Sequence, residues 1–202
     1  MYLVRPPYLL KRLYPKTVWR MPAEDNTLYL TFDDGPVPVV TPWVLETLKQ
    51  FDAKATFFCV GDNVRKHKHI YKQVISEGHS TGNHTYNHLN AWKTPAARYL
   101  ENIKQCSQEV SSNLFRPPYG KLTRQIYSSI CKEHQVIMWD VLSGDYDAAT
   151  SPEKCFRNVT RYTRPGSVIV FHDSLKAEKN LKYVLPRVLE YYSSKGFRFE
   201  RL

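Results

Sequence analysis

Short apolar runs alternate with longer amphipathic stretches along most of this chain. Residues 27–32 (TLYLTF), 56–60 (TFFCV), 135–139 (QVIMW) and 167–171 (SVIVF) are nearly continuous in apolar and β-branched side chains, the pattern of strands buried on both faces. Shorter runs at Ser80–Asn83, Leu114–Phe115 and 197–202 bring the expected strands to seven. Between them the apolar spacing becomes helical. In 39–51, Val40, Val44, Leu45 and Leu48 share one face, with Pro42 suited to the first turn. Further helices are expected at 64–77 (capped by Asp62 or Asn63 and ended by Gly78), 95–112, 122–133, 152–162 and 179–195, the last stopped by Gly196.

Seven strands and six intervening helices in strict alternation predict an α/β fold with a parallel sheet. An open doubly wound sheet fits the same string. Polar clusters just past five of the strands favour instead a distorted (β/α) barrel, whose strand carboxyl ends converge on one face.

Composition fits a single domain: 202 residues, 42% hydrophobic and 24% charged. No apolar stretch approaches the roughly 18 residues of a membrane span. The net charge of +10 is uneven, for the first 20 residues carry Arg5, Lys11, Arg12, Lys16 and Arg20 and no acid. A basic segment at 1–26, packed on or flanking the domain, is therefore expected to be either a solvated surface or a peripheral contact with an anionic membrane or glycan, Leu9, Leu10, Leu13 and Tyr14 adding apolar area. No motif supports specific nucleic-acid binding. Lys11 and Arg12 interrupt the only apolar stretch that resembles a secretory signal. Cys59, Cys106, Cys131 and Cys155 lack metal-ligand spacing and read as reduced. The expected location is cytoplasmic or peripherally membrane-associated.

The chemistry concentrates after the strands. Asp33-Asp34, two carboxylates at a strand end, need a cation or donors if buried. His84 and His88, four residues apart, share a face on a helical or looped turn. With Asp34 they make a His-His-carboxylate set, which leaves a position for water. Zn²⁺ suits such donors, and Co²⁺, Ni²⁺ or Fe²⁺ also coordinate them. Arg116 sits on a rigid Pro117-Pro118 turn, and His172 ends a strand; Asp140 and Asp145 compete as its acidic partner.

Thr31-Phe32-Asp33-Asp34-Gly35-Pro36, His84-Thr85-Tyr86-Asn87-His88, Arg116-Pro117-Pro118-Tyr119 and Phe171-His172 occur in one order. In them the chain resembles the polysaccharide deacetylases of carbohydrate esterase family 4, the NodB-homology domain, over 27–202. The resemblance implies a metal-dependent hydrolase that removes N-acetyl groups from an amino sugar or glycan. Asp34, His84 and His88 would hold the metal. Asp33 would be the base, oriented by Arg116, and His172 the acid, oriented by Asp145. The Tyr119 backbone would help to hold an oxyanion, and Tyr146 would line the pocket. The fourth motif departs from the family's Asp-Trp, reading Asp145-Tyr146. Cleavage of another amide, a cyclic imide or an O-acetyl ester, and an inactive glycan-binding relative, are the alternatives.

Overall fold

The computed structural model describes residues 3–22 and 25–202. Its elements run α1 (Tyr8–Leu13), β1 (Thr17–Val18), β2 (Thr27–Asp33), α2 (Val40–Lys49), β3 (Ala55–Cys59), α3 (Gly61–Lys66), α4 (Lys68–Ser76), β4 (Ser80–Asn83), α5 (Ala96–Ser107) and β5 (Leu114–Phe115). After a 3₁₀ turn at Pro118–Gly120 come α6 (Arg124–Ile130), β6 (Gln135–Ile137), β7 (Val141–Leu142), α7 (Pro152–Tyr162), β8 (Val168–His172), α8 (Glu178–Ser193) and β9 (Arg198–Phe199).

The sheet runs β1-β6-β5-β4-β3-β2-β8-β7, with β9 added beside the start of β2. Every ladder is parallel. It curls into a half-barrel. Past β1 an isolated antiparallel bridge joins Arg20 to Ser167, and Met21 N–H donates to Gly166 C=O, so the curl nearly meets itself below β8. The alternation expected from the sequence is present. Three elements are additional: α1, β1 and β7 are too short to leave a periodic signal. The single helix expected at 64–77 is two, because His67 (φ −127°, ψ 47°) breaks it between α3 and α4. Neither Asp62 nor Asn63 caps it, since α3 begins at Gly61 with Val60 at the N-cap position.

Alternation along the strands decides what faces the helices and what faces the barrel interior. Leu28, Leu30 and Phe32 of β2, Phe57 of β3, and Ile169 and Phe171 of β8 pack with Val44 and Leu48 of α2 and Leu181, Leu185 and Val188 of α8. The opposite parity builds a smaller inner cluster of Phe58, Leu114, Ile137 and Val168. There Gly82 is obligatory, because a Cβ on it would lie 2.5 Å from the Phe58 ring. The same inner parity, continued to the carboxyl ends, reaches Asp33, His84, Arg116 and His172. All four described cysteines are free thiols, and no helix among the described residues is long and apolar enough to cross a membrane.

Candidate active site

Asp33 is the last residue of β2, and Asp34 leaves the strand with φ +84°. Their carboxylates diverge because Asp34 enters a left-handed turn; strand alternation alone does not separate them. Two side chains support that turn. Asn63 of α3 donates to Asp34 C=O at 2.8 Å. Asp173 accepts the Gly35 N–H at 3.0 Å and the Thr41 hydroxyl at 2.6 Å. A Cβ at position 35 would lie 1.9 Å from the Asp173 carboxylate, so only glycine passes.

His84 follows β4 directly, whereas His88 sits in an irregular loop with φ +53°. The pair is thus brought together by the looped alternative, not by a helix. Asn83 accepts the Thr85 N–H, and Asn102 of α5 accepts the N–H groups of Tyr86 and Asn87. His84 Nδ1 lies 2.7 Å from Arg116 C=O. A carbonyl can only accept, so Nδ1 carries the proton and Nε2 presents a lone pair. Burial lowers the His84 pKa to about 4, which keeps the ring neutral.

Asp34 Oδ1 stands 3.8 Å from His84 Nε2 and 3.2 Å from His88 Nε2. The ligand atoms of Asp34, His84 and His88 all lie within 4.8 Å of one another. Asp34 Oδ1 is buried with no hydrogen-bond partner. A buried, partnerless carboxylate oxygen facing two imidazoles fits a cation, which satisfies all three donors together. Burial pushes the Asp34 carboxyl up, but the close His88 ring and the charges of His172 and His84 outweigh it, leaving it well below the usual carboxylate range. These three residues could hold a metal ion.

Arg116 is fully buried. Its guanidinium donates to Asp33 Oδ1 and to the Thr31 hydroxyl, each at 2.7 Å, and to the carbonyls of Ile137 and Met138. It also lies 4.1 Å from the Phe58 ring centroid. Burial lowers its pKa, opposed by Asp33. His172 Nδ1 donates to Asp145 Oδ1 at 2.8 Å, and the His172 backbone N–H donates to Asp145 Oδ2 at 2.8 Å. Burial alone would lower this imidazole; Asp145, with Asp34 and Asp33 beyond it, raises its pKa to about 9.

Asp140 does not take part. It is buried elsewhere, bonded to Lys11 at 3.1 Å, Ser167 at 3.0 Å and Arg164 at 3.3 Å. Two aromatic rings border the site. Tyr119, with φ +62°, places its ring centroid 4.8 Å from that of His88. Tyr146 meets the His172 ring at 4.7 Å. The supporting roles of Asn63, Asn102 and Asp173 escaped sequence reasoning. Asp173 had one available signal, a second acid beside His172 at a strand end; the two asparagines had none, since each acts across a long sequence separation.

Residues 20–136 match the family model described as polysaccharide deacetylase. A peptidoglycan-N-acetylglucosamine deacetylase of Bacillus cereus is 32% identical over 201 residues, covering 95% of this chain and 94% of the relative. A chitooligosaccharide deacetylase of Azorhizobium caulinodans is 32% identical over 162 residues, covering 76% and 77%. Among solved structures, a peptidoglycan N-acetylglucosamine deacetylase in complex with 4-naphthalen-1-yl-N-oxidanyl-benzamide superposes with a TM-score of 0.88 at 29% identity, covering 98% of this chain and 95% of the other.

Proposed function

The chain belongs to the polysaccharide deacetylase family, carbohydrate esterase family 4, and we propose that it hydrolyses the N-acetyl group of N-acetylglucosamine units in peptidoglycan or chitooligosaccharide substrates, with Zn²⁺ at Asp34, His84 and His88. The observation that carries this reading is that the three candidate metal ligands stand beside two groups with opposite counter-charges, Asp33 bonded to Arg116 and His172 bonded to Asp145. Two imidazoles and one carboxylate suit Zn²⁺; Co²⁺, Ni²⁺ and Fe²⁺ accept the same donors. The chemistry such an ion supplies is Lewis acidity, lowering the pKa of bound water toward ~7 and polarising the acetamide carbonyl.

The remaining work falls to the chain's own side chains. Asp33, hydrogen-bonded to the buried guanidinium, accepts the proton of the attacking water. Arg116 has no freedom to leave, because four hydrogen bonds fix it. The Tyr119 N–H, on a turn next to His88, helps to hold the negative charge that develops on the carbonyl oxygen, a contribution commonly worth about 3–4 kcal/mol. His172 has one ring nitrogen committed to Asp145, so Nε2 gives its proton to the departing sugar nitrogen. Acetate and a free amine leave. Tyr119 and Tyr146 offer apolar faces to the sugar rings on the two sides.

Acetate release from peptidoglycan fragments, chitooligosaccharides and N-acetylglucosamine, with metal content measured on the same preparation, tests the proposal. Stoichiometric metal with acetate release from an oligosaccharide supports it. Loaded protein that frees no acetate from any of the three, or that acts only on an O-acetyl ester, ends it.

A further inference from the structure

We propose that the basic amino-terminal segment is a docking surface for an anionic lipid bilayer, seating a headgroup phosphate in the hollow beside α1. The five cations of the first 20 residues do two different jobs. Lys11 and Arg5 turn inward to the buried Asp140, at 3.1 and 3.7 Å. Arg12, Lys16 and Arg20 are exposed, and none forms an ion pair among the described residues. The inward pair fastens the segment to the domain, and the outward three give it an unbalanced positive field.

Beside those three cations lies apolar surface that the fold leaves uncovered. Leu3, Tyr8, Leu9 and Leu13 are 56–76% exposed. Leu10 and Tyr14 pack against the cluster containing Trp19, Ile126 and Val136. With Leu10 and Tyr14 turned in, Leu9 and Leu13 stand one helical turn apart on the outer side. Leucines flanked by unpaired lysine and arginine make the combination that enters the headgroup boundary of an anionic bilayer. Sugar rings stack on flat aromatic faces, whereas Leu9 and Leu13 present branched aliphatic chains.

The hollow adds a specific seat. It has a volume of about 530 Å³ and is lined by Tyr8, Lys11, Trp19, Arg20, Gln135 and Arg164 among others, with no acid among the described lining residues. Thr17 and Gln135, the first residues of β1 and β6, place it at the strand ends opposite those carrying the metal site. Trp19 is 6% exposed, and its buried indole N–H has no hydrogen-bond partner among the described residues. A hollow lined by one ammonium and two guanidinium groups, of which Lys11 and Arg164 share the carboxylate of Asp140, fits a phosphate.

The test is sedimentation of the full chain with vesicles of phosphatidylcholine, and of phosphatidylcholine with an equal part of phosphatidylglycerol. Binding is read without turnover, so it stands or falls apart from the deacetylase reading. The expected result is partition onto the anionic vesicles only, weakened by salt. The triple variant Arg12→Glu, Lys16→Glu, Arg20→Glu should lose at least about tenfold in partition. Leu9→Ser with Leu13→Ser should lose a comparable amount. All five positions are exposed, and an unchanged thermal midpoint verifies that the variants fold. The part of the tryptophan emission that is lost in Trp19→Phe, which isolates Trp19 among the chain's four tryptophans, should respond to soluble short-chain phosphatidylglycerol more than to inorganic phosphate. Equal binding to neutral vesicles, no binding to either, sedimentation with insoluble peptidoglycan but not vesicles, or a triple variant that partitions like the parent would each overturn the proposal. An equal Trp19 response to inorganic phosphate removes the headgroup seat.

Discussion

Asp33 and His172 lie directly across from one another on neighbouring strands, paired in register between β2 and β8, yet each is set against a counter-charge of opposite sign. The acid stands against a guanidinium with no solvent exposure. The imidazole stands against an equally buried carboxylate and is raised to about 9. Each group therefore has a private counter-charge from a different part of the fold: Arg116 from the end of β5, Asp145 from the loop after β7. Two side chains this close would otherwise form an ion pair with each other and cancel. Separate partners keep a proton acceptor and a proton donor on one small surface at the same pH.

The largest effect should come from removing what both halves serve. Asp34→Ala or His84→Ala is expected to abolish stoichiometric metal and reduce acetate release to background; metal-free mutant protein with undiminished turnover would remove the site. Next, Asp33→Asn keeps the shape and the Thr31–Arg116 contact but cannot take a proton. Metal content should stay normal while kcat drops on the order of 10²–10⁴-fold. A near-normal kcat assigns the base elsewhere.

The other half is probed by pH. His172 must be protonated to act as the acid, so activity should fall as pH rises through about 9. Asp145→Asn removes the main charge opposing burial, and the alkaline limb should move down in pH with a loss of roughly 10²-fold at neutrality. The stability link has the same sign. A raised imidazole contributes stability fully below its ordinary value of 6.5, and that contribution is lost as pH rises through about 9. An alkaline limb that stays in place in Asp145→Asn separates the two residues functionally.

How much of this was legible depends on distance along the chain. The position of β2 could be read directly, because 27–32 is a nearly continuous apolar and β-branched run, and it carried Asp33 to the correct end. The Asp-His-His set was legible as residue types, but the device that joins His84 to His88 was not. A loop held by Asn102, with positive φ at Thr85 and His88, leaves no periodic trace. Asp140 and Asp145 were indistinguishable in sequence. What separates them is that Lys11, a residue 129 positions away, occupies the first. Short β7 and β1 were invisible because neither two-residue strand forms a run set apart by its own stop signal, as Pro117-Pro118 sets apart Leu114–Phe115.

The smallest effect is expected at the acid that the two halves do not use. Asp173 follows His172 and is completely buried, its carboxylate accepting from the Gly35 N–H and the Thr41 hydroxyl and its backbone N–H donating to Asp33 C=O. Burial raises its carboxyl to about 8, opposed by the Thr41 hydroxyl and reinforced by the charge of Asp34. Because its folded value lies above the ordinary 3.8, its stability contribution is full below that value and declines as pH rises to about 8. Asn at this position cannot ionise. Asp173→Asn should therefore lose little rate, less than about tenfold, since it contacts a turn and not the reacting atoms. In metal-free protein the stability of the parent relative to this variant should fall between about pH 4 and pH 8, measured by denaturant unfolding. A cation on Asp34 cancels the charge that reinforces the shift, so the same comparison with metal bound should slope less. A rate loss matching that of Asp33→Asn would instead place Asp173 in the proton path and break the division between a base held by Arg116 and an acid held by Asp145.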